Sequence, residues 1–265
     1  MAEPDILLSV DDTDLRGSVA RLVADNRARI NVLNSDLILR LTSVIESLRH
    51  DENLRVVILT GAGDRAFIGG ADINEMVGLD PQSARAFITR LHEACAALRF
   101  LPVPTIARIS GYCLGAGLEV AASCDLRIAA DHSTFGMPEV RVGIPSVIEA
   151  ALLPRLIGWG KTNELLYTGK TISASEALNC RLIERVVSQE MLDQSVDELV
   201  EAILEAGPKA VRLQKALIRR WESESIDQAI ESGTESFSKA YETDEPHLFM
   251  NRFLNRDRNK KGSEL

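Results

Sequence analysis

GYCLGAGLEVAASCD, residues 111–125, places one glutamate, Glu119, inside a small and apolar segment that opens with Gly111, Gly115 and Gly117. A carboxylate in such surroundings is costly unless something neutralises or uses it. Glycines permit a sharp turn and a close backbone approach, so the stretch reads as a strand end, a turn and a helix start. The first N–H groups of a helix lack internal partners, and its dipole favours negative charge there. The N–H of Ala116 is therefore a candidate donor to an oxyanion. Glu119, three residues on, shares the same helix face. Two plainer readings stay open on this segment alone: Glu119 caps the first turn, or it pairs with a buried arginine such as Arg127.

A second stretch repeats the construction. AFIGGADINEM (66–76) reads as a Gly-rich loop leading into a short helix, in which Gly69 and Gly70 precede a helix start whose first N–H groups belong to Ala71 and Asp72. Two such elements can polarise a single carbonyl oxygen, as an oxyanion hole does. A third piece, FGMPEV (135–140), sets Glu139 after a proline. Two carboxyls near one activated carbonyl can divide acid and base work when their surroundings separate their pKa values. The plainer reading of Glu139 is a helix-start carboxylate favoured by the dipole.

The rest of the chain fixes the class. ILLSVDDTDLRGSVARLVAD predicts two strands joined by a polar turn, and NSDLILRLTSVIESLRHD predicts a helix from its apolar spacing and its Asn/Ser/Asp start. RVVILTG reads as a strand buried on both faces. PQSARAFITRLHEACAALRF predicts a helix, PVPTIARIS a strand, and LRIAADHSTFGMPEV two short β pieces. Successive strand–helix–strand units argue for an α/β core. From about Ile148 the chain predicts mainly helices, with only IERVVS as a strand. The expected division is a core at 1–195 and a helical region at 196–265.

Bulk properties narrow the function. The chain has 265 residues, 45% apolar and 26% charged, with a net charge of −9. That balance argues against nucleic-acid binding through a global basic field. No apolar run is long enough to span a membrane, and MAEPDILLSV lacks the basic head of a secretory signal. Cys95, Cys113, Cys124 and Cys180 form no CxxC pair and have no histidine in metal-site spacing. They read as thiols in a reducing compartment, with no metal site. The expected location is the cytoplasm; the terminal Ser-Glu-Leu gives a weak peroxisomal alternative.

AFIGGADINEM, GYCLGAGLEVAASCD, LRIAA, FGMPEVRVGI and LPRLIG, in this order, closely resemble the crotonase (enoyl-CoA hydratase/isomerase) family. The resemblance implies an α/β spiral of repeated ββα units with a helical C-terminal region that assembles homotrimers or homohexamers. It implies an acyl-CoA substrate, no other cofactor, and an oxyanion hole from the N–H groups of Ala71 and Ala116. It carries Glu119 over as the base that activates water and Glu139 as the group that protonates C2. Hydration of a 2-enoyl-CoA is the leading reading. A Δ3-Δ2 isomerase, a dehydratase or hydrolase of an unusual acyl-CoA, and a non-catalytic acyl-CoA- or RNA-binding scaffold are the alternatives.

The same resemblance assigns substrate and coenzyme contacts to Ala66, Ile68, Gly70, Asp72, Ile73, Asn74 and Gly115. Arg27, Arg29 and Arg65 are the candidate phosphate partners, since arginine presents a planar fork of donors. The basic tail (Arg252, Arg256, Arg258, Lys260, Lys261) is a second candidate, with Phe253 to cover the adenine. The chain departs from the family after Glu139. GIPSVIEA (143–150) replaces a Gly-rich stretch, so Val147 and Ile148 are expected to narrow or redirect the pocket. The added Glu149 reads as a helix-surface carboxylate, with a third acid facing the ligand as the alternative.

Overall fold

The computed structural model describes residues 3–13 and 16–262, with 256–262 described by backbone alone. The chain divides into two compact units, 1–200 and 201–265. In the first, strands β1 (Asp5–Asp12), β2 (Ser18–Asp25), β3 (Leu54–Gly61), β5 (Thr105–Ile109), β7 (Leu126–Ala130) and β10 (Arg185–Val187) form one sheet in the order β1-β2-β3-β5-β7-β10. Strands β4 (Ala66–Ile68), β6 (Tyr112–Leu114), β8 (Thr134–Gly136) and β9 (Thr171–Ser173) form a second, in the order β4-β6-β8-β9. β1 runs antiparallel to β2, and β9 antiparallel to β8; the other pairs are parallel.

The alternation of sheets is the repeat. β3 and β4, β5 and β6, and β7 and β8 are consecutive pairs, each giving one strand to each sheet. β4 leads to α2 (Ile73–Met76) and α3 (Pro81–Arg99), β6 to α4 (Ala116–Ser123), and β8, through 3-10 turns at Glu139–Val142 and Ile148–Leu152, to α5 (Leu153–Thr168). These are the ββα units of the expected spiral. Every residue of β3 is buried, which is why LRVVILTG carries no polar alternation. Phe67 and Phe135 are also fully buried, and each such burial contributes roughly 1.5–3 kcal/mol.

The helices start where their sequence says they should. α1 (Ser35–Ser47) is capped by Asn34, whose side chain accepts from the Leu37 N–H at 2.9 Å. α3 opens with Pro81 and a capping box between Asp80 and Ser83. It buries Phe87, Leu91, Ala94, Cys95 and Leu98 along one face.

Two short strands escape the sequence reading. β4 lies within what reads as a Gly-rich loop, and β9 adds a strand beyond IERVVS. Both are three residues long, too short for alternation to register. Helices α6 (Ala174–Asn179) and α7 (Leu192–Glu205) follow in the chain, and the second unit contains α8 (Pro208–Trp221), α9 (Ile226–Ala240) and α10 (Glu245–Gly262). Among the described residues no helix is long and apolar enough to cross a membrane.

Candidate active site

The second sheet builds the site. Ile68 of β4 lies beside Cys113 of β6, and Leu114 of β6 beside Gly136 of β8. Three parallel strands thus end side by side, and their next residues emerge at one edge: Gly69–Ala71, Gly115–Ala116 and Met137–Glu139. Carboxyl ends of parallel strands are where open α/β sheets place ligands. The cleft there encloses ≈ 280 Å³, and Ala71, Ala116, Glu119 and Glu139 all line it.

The two expected amides face this cleft for backbone reasons. Leu33 donates its N–H to the Gly70 carbonyl and accepts from the Asp72 N–H, a parallel bridge opposite Ala71. Both flanking groups point at Leu33, which turns the Ala71 N–H to the other side. Ala116 is the first residue of α4, so no helical carbonyl lies one turn behind its N–H. Gly117 then locks the two loops together. A Cβ there would come within 2.1 Å of the Ile68 carbonyl oxygen, so only glycine lets α4 press against β4.

Gly115 has a different task. Its φ is 54°, and a Cβ on it would stand 2.5 Å from Glu139 Oε1. The missing side chain is the space the Glu139 carboxylate occupies. Ser146 donates to the other oxygen, Oε2, at 2.8 Å. Ser146 was not singled out from the sequence; the signal was a hydroxyl inside the unusual GIPSVIEA segment.

Glu119 is only 4% exposed. Its Oε1 has no hydrogen-bond partner among the described residues. Burial is the main reason its carboxyl is pushed up to about 8; the charges of Glu139 and Glu149 add to this, while hydrogen bonds from the Ala150 and Val147 backbone oppose it. Arg127 does not neutralise it. That guanidinium pairs with Glu184 at 2.6 Å and donates to the Ala121 and Cys124 carbonyls, closing the C-terminal end of α4. The plain ion-pair reading of Glu119 is thereby overturned.

The other expected residues fall into distinct places. Asp72 is buried; it accepts from the Asn74 N–H and side chain and pairs with Arg29. Arg27 pairs with Asp25 at 2.6 Å but is 67% exposed. Gly70, Ile73 and Gly115 line the cleft. Ala66 and Ile68 are buried in β4, and Arg65 is exposed on the turn before it. Phe253 lies exposed on α10 of the second unit, and Arg252 sits over the Phe249 ring there. The side chains of Arg256, Arg258, Lys260 and Lys261, and the terminal Ser-Glu-Leu, lie outside the described residues.

Apolar side chains make the cleft walls. Met76, Phe87 and Leu91 come from α2 and α3, and Val142, Ile144 and Val147 from the segment after Glu139. Val147 reaches the cleft as expected, whereas Ile148 packs against the core. The surface reading of Glu149 is wrong: it is 3% exposed, because the 3-10 turn Ile148–Leu152 is packed against α4 and α3. Among the described residues no three His, Cys, Asp or Glu side chains are grouped to hold a metal. The cysteines are free, with Cys180 half-buried and the others buried.

The chain matches the model of the enoyl-CoA hydratase/isomerase family over residues 14–261. It is 36% identical over 239 residues to the short-chain-enoyl-CoA hydratase of Clostridium acetobutylicum, covering 90% of this chain and 92% of that one. It is 34% identical to the crotonyl-CoA hydratase of Syntrophomonas wolfei, covering 96% of each. Its structure matches the crystal structure of an enoyl-CoA hydratase from Bacillus anthracis with a TM-score of 0.88 at 32% identity, over 94% of this chain and 96% of that chain. The enzyme from Mycobacterium smegmatis gives 0.90 at 29% identity, over 96% and 97%. By sequence and fold together, the chain belongs to the enoyl-CoA hydratase/isomerase family.

Proposed function

We propose that this protein hydrates 2-enoyl-CoA thioesters, adding water across C2=C3. The observation that carries this reading is the convergence of the Ala71 and Ala116 amides with two glutamates in one apolar-walled cleft. The amides receive the thioester oxygen and stabilise the enolate-like charge that develops as the water oxygen bonds to C3. One carboxyl takes a proton from that water, and the other delivers a proton to C2.

The raised pKa of Glu119 supports placing the resting proton there at neutral pH. Glu139, held by Ser146, is then the carboxylate that accepts the water proton, and Glu119 is the donor to C2. This reverses the order that the family resemblance carried over. The reverse reaction exchanges their roles.

Arg29, tied to Asp72 beside the Ala71 loop, and the exposed Arg27 are suited to the coenzyme phosphates. A homotrimer or homohexamer in the cytoplasm is the proposed setting; the peroxisomal alternative finds no support. The test is loss of the conjugated-thioester absorbance with crotonyl-CoA. Glu119→Gln and Glu139→Gln are each expected to lower kcat by roughly 10²–10⁴-fold while leaving crotonyl-CoA binding in place. Full activity in either variant contradicts the two-glutamate assignment.

A further inference from the structure

The proposed chemistry leaves one buried acid unused. Glu149 stands at the start of the 3-10 turn that packs on α4, and its side chain is 3% exposed. One oxygen, Oε1, lies 2.9 Å from His92 Nδ1 on α3. The other, Oε2, is buried with no hydrogen-bond partner among the described residues. A carboxylate is not placed this way for packing alone, since each unsatisfied oxygen costs stability. The backbone on either side of it, at Val147 and Ala150, hydrogen-bonds to Glu119. The preceding residue, Ile148, holds φ at 40°, a conformation that a β-branched side chain avoids and that persists only where the surroundings impose it.

We propose that Glu149, held from behind by His92, is a positioning residue for Glu119: it sets the negative charge beside that carboxyl and so keeps the proton on it for delivery to C2. His92, whose side chain is 53% exposed, lies against the buried acid. This inference rests on the reading of Glu119 as a group that meets the acyl substrate.

Several titratable groups surround Glu119. Glu139 faces it from the 3-10 turn after β8, and Glu149 from the turn after that. α3 contributes the fully buried Cys95 thiol, pushed well up by burial, and His92 through Glu149. On β6, Cys113 donates to the Gly117 carbonyl and is pushed well up by burial, and β4 contributes no titratable side chain. Among these groups the carboxylates of Glu139 and Glu149 oppose ionisation of Glu119, and of the two Glu139 lines the cleft while Glu149 does not.

The test is an infrared titration of the protonated-carboxyl band of Glu119, assigned by its loss in Glu119→Gln, beside the pH profile of kcat on crotonyl-CoA. Glu149→Gln removes the charge and keeps the shape. It is expected to move the Glu119 titration, and with it the alkaline limb of the profile, to lower pH by roughly one pH unit or more. His92→Ala removes the side chain that holds Glu149 in place beside Glu119. It is expected to move the same titration in the same direction, with no further movement in the double variant. Either shift in a folded variant supports the proposal. A Glu119 titration that stays put in both variants overturns it and leaves Glu149 as a packing residue. If Glu149→Gln does not fold, His92→Ala decides by itself, since its ring is half-exposed. A wild type that leaves crotonyl-CoA unchanged sinks the proposed activity instead, while the infrared band still reports on Glu119 and Glu149.

Discussion

At the scale of single residues, Glu119 concentrates the physical cost of the site. A carboxyl pushed up to about 8 in the folded chain, against an ordinary value of 4.5, binds its proton more tightly folded than unfolded. Its ionisation therefore opposes folding. The stability loss starts as pH rises through the unfolded value and is complete above the folded one. Denaturant unfolding from about pH 5 to about pH 9 should show the wild type losing on the order of a few kcal/mol relative to Glu119→Gln. Parallel curves for the two proteins would mean that Glu119 ionises freely in the fold. The two glutamates proposed for catalysis were readable in the sequence because each sits in a local signature, beside a glycine turn or after a proline. Burial of Glu149 was not readable. Its partner His92 is 57 positions away, and a five-residue 3-10 turn offers no periodicity that separates inside from outside.

At the scale of elements, the site depends on how closely α4 lies on β4. The close approach of Gly117 to the Ile68 carbonyl is the contact that brings the two glycine loops, whose amides are the proposed oxyanion donors, to one cleft. Gly117→Ala should separate the Ala71 and Ala116 amides. Removing one oxyanion donor costs about 10²–10³-fold in kcat, so a loss of that order is expected, read by steady-state kinetics alongside a thermal melt. An unchanged kcat in a folded variant would show that α4 tolerates the added carbon and that the spacing is not set there. The long elements were legible, because α1 and α3 carry caps and apolar faces and β3 is a continuous apolar run. β4 and β9 were not, since their pairing depends on neighbours far away in sequence. Without β4 the second sheet is invisible, and with it the physical reason why the two glycine loops meet.

At the scale of the whole molecule, three ββα units each send one strand to each sheet, and the second sheet's strand ends collect the donors and acids. The order of motifs along the chain was enough to indicate this architecture, and solved enoyl-CoA hydratase structures match it with TM-scores of 0.88 and 0.90. With a net charge of −9, the proposed anionic thioester calls for local arginines, and Arg27 and Arg29 are the pair proposed for it. The substituted segment 143–150 leaves the central question one of chemistry: whether the cleft adds water or only moves a double bond.

Incubation of the purified protein with crotonyl-CoA in water enriched in heavy oxygen, followed by mass spectrometry of the thioester, answers it most directly. Hydration at this cleft gives a 3-hydroxyacyl-CoA carrying the heavy oxygen at C3, formed by the wild type and greatly slowed in Glu119→Gln and Glu139→Gln. An unlabelled isomerised thioester, or a free acid with the label in its carboxyl group, would contradict it.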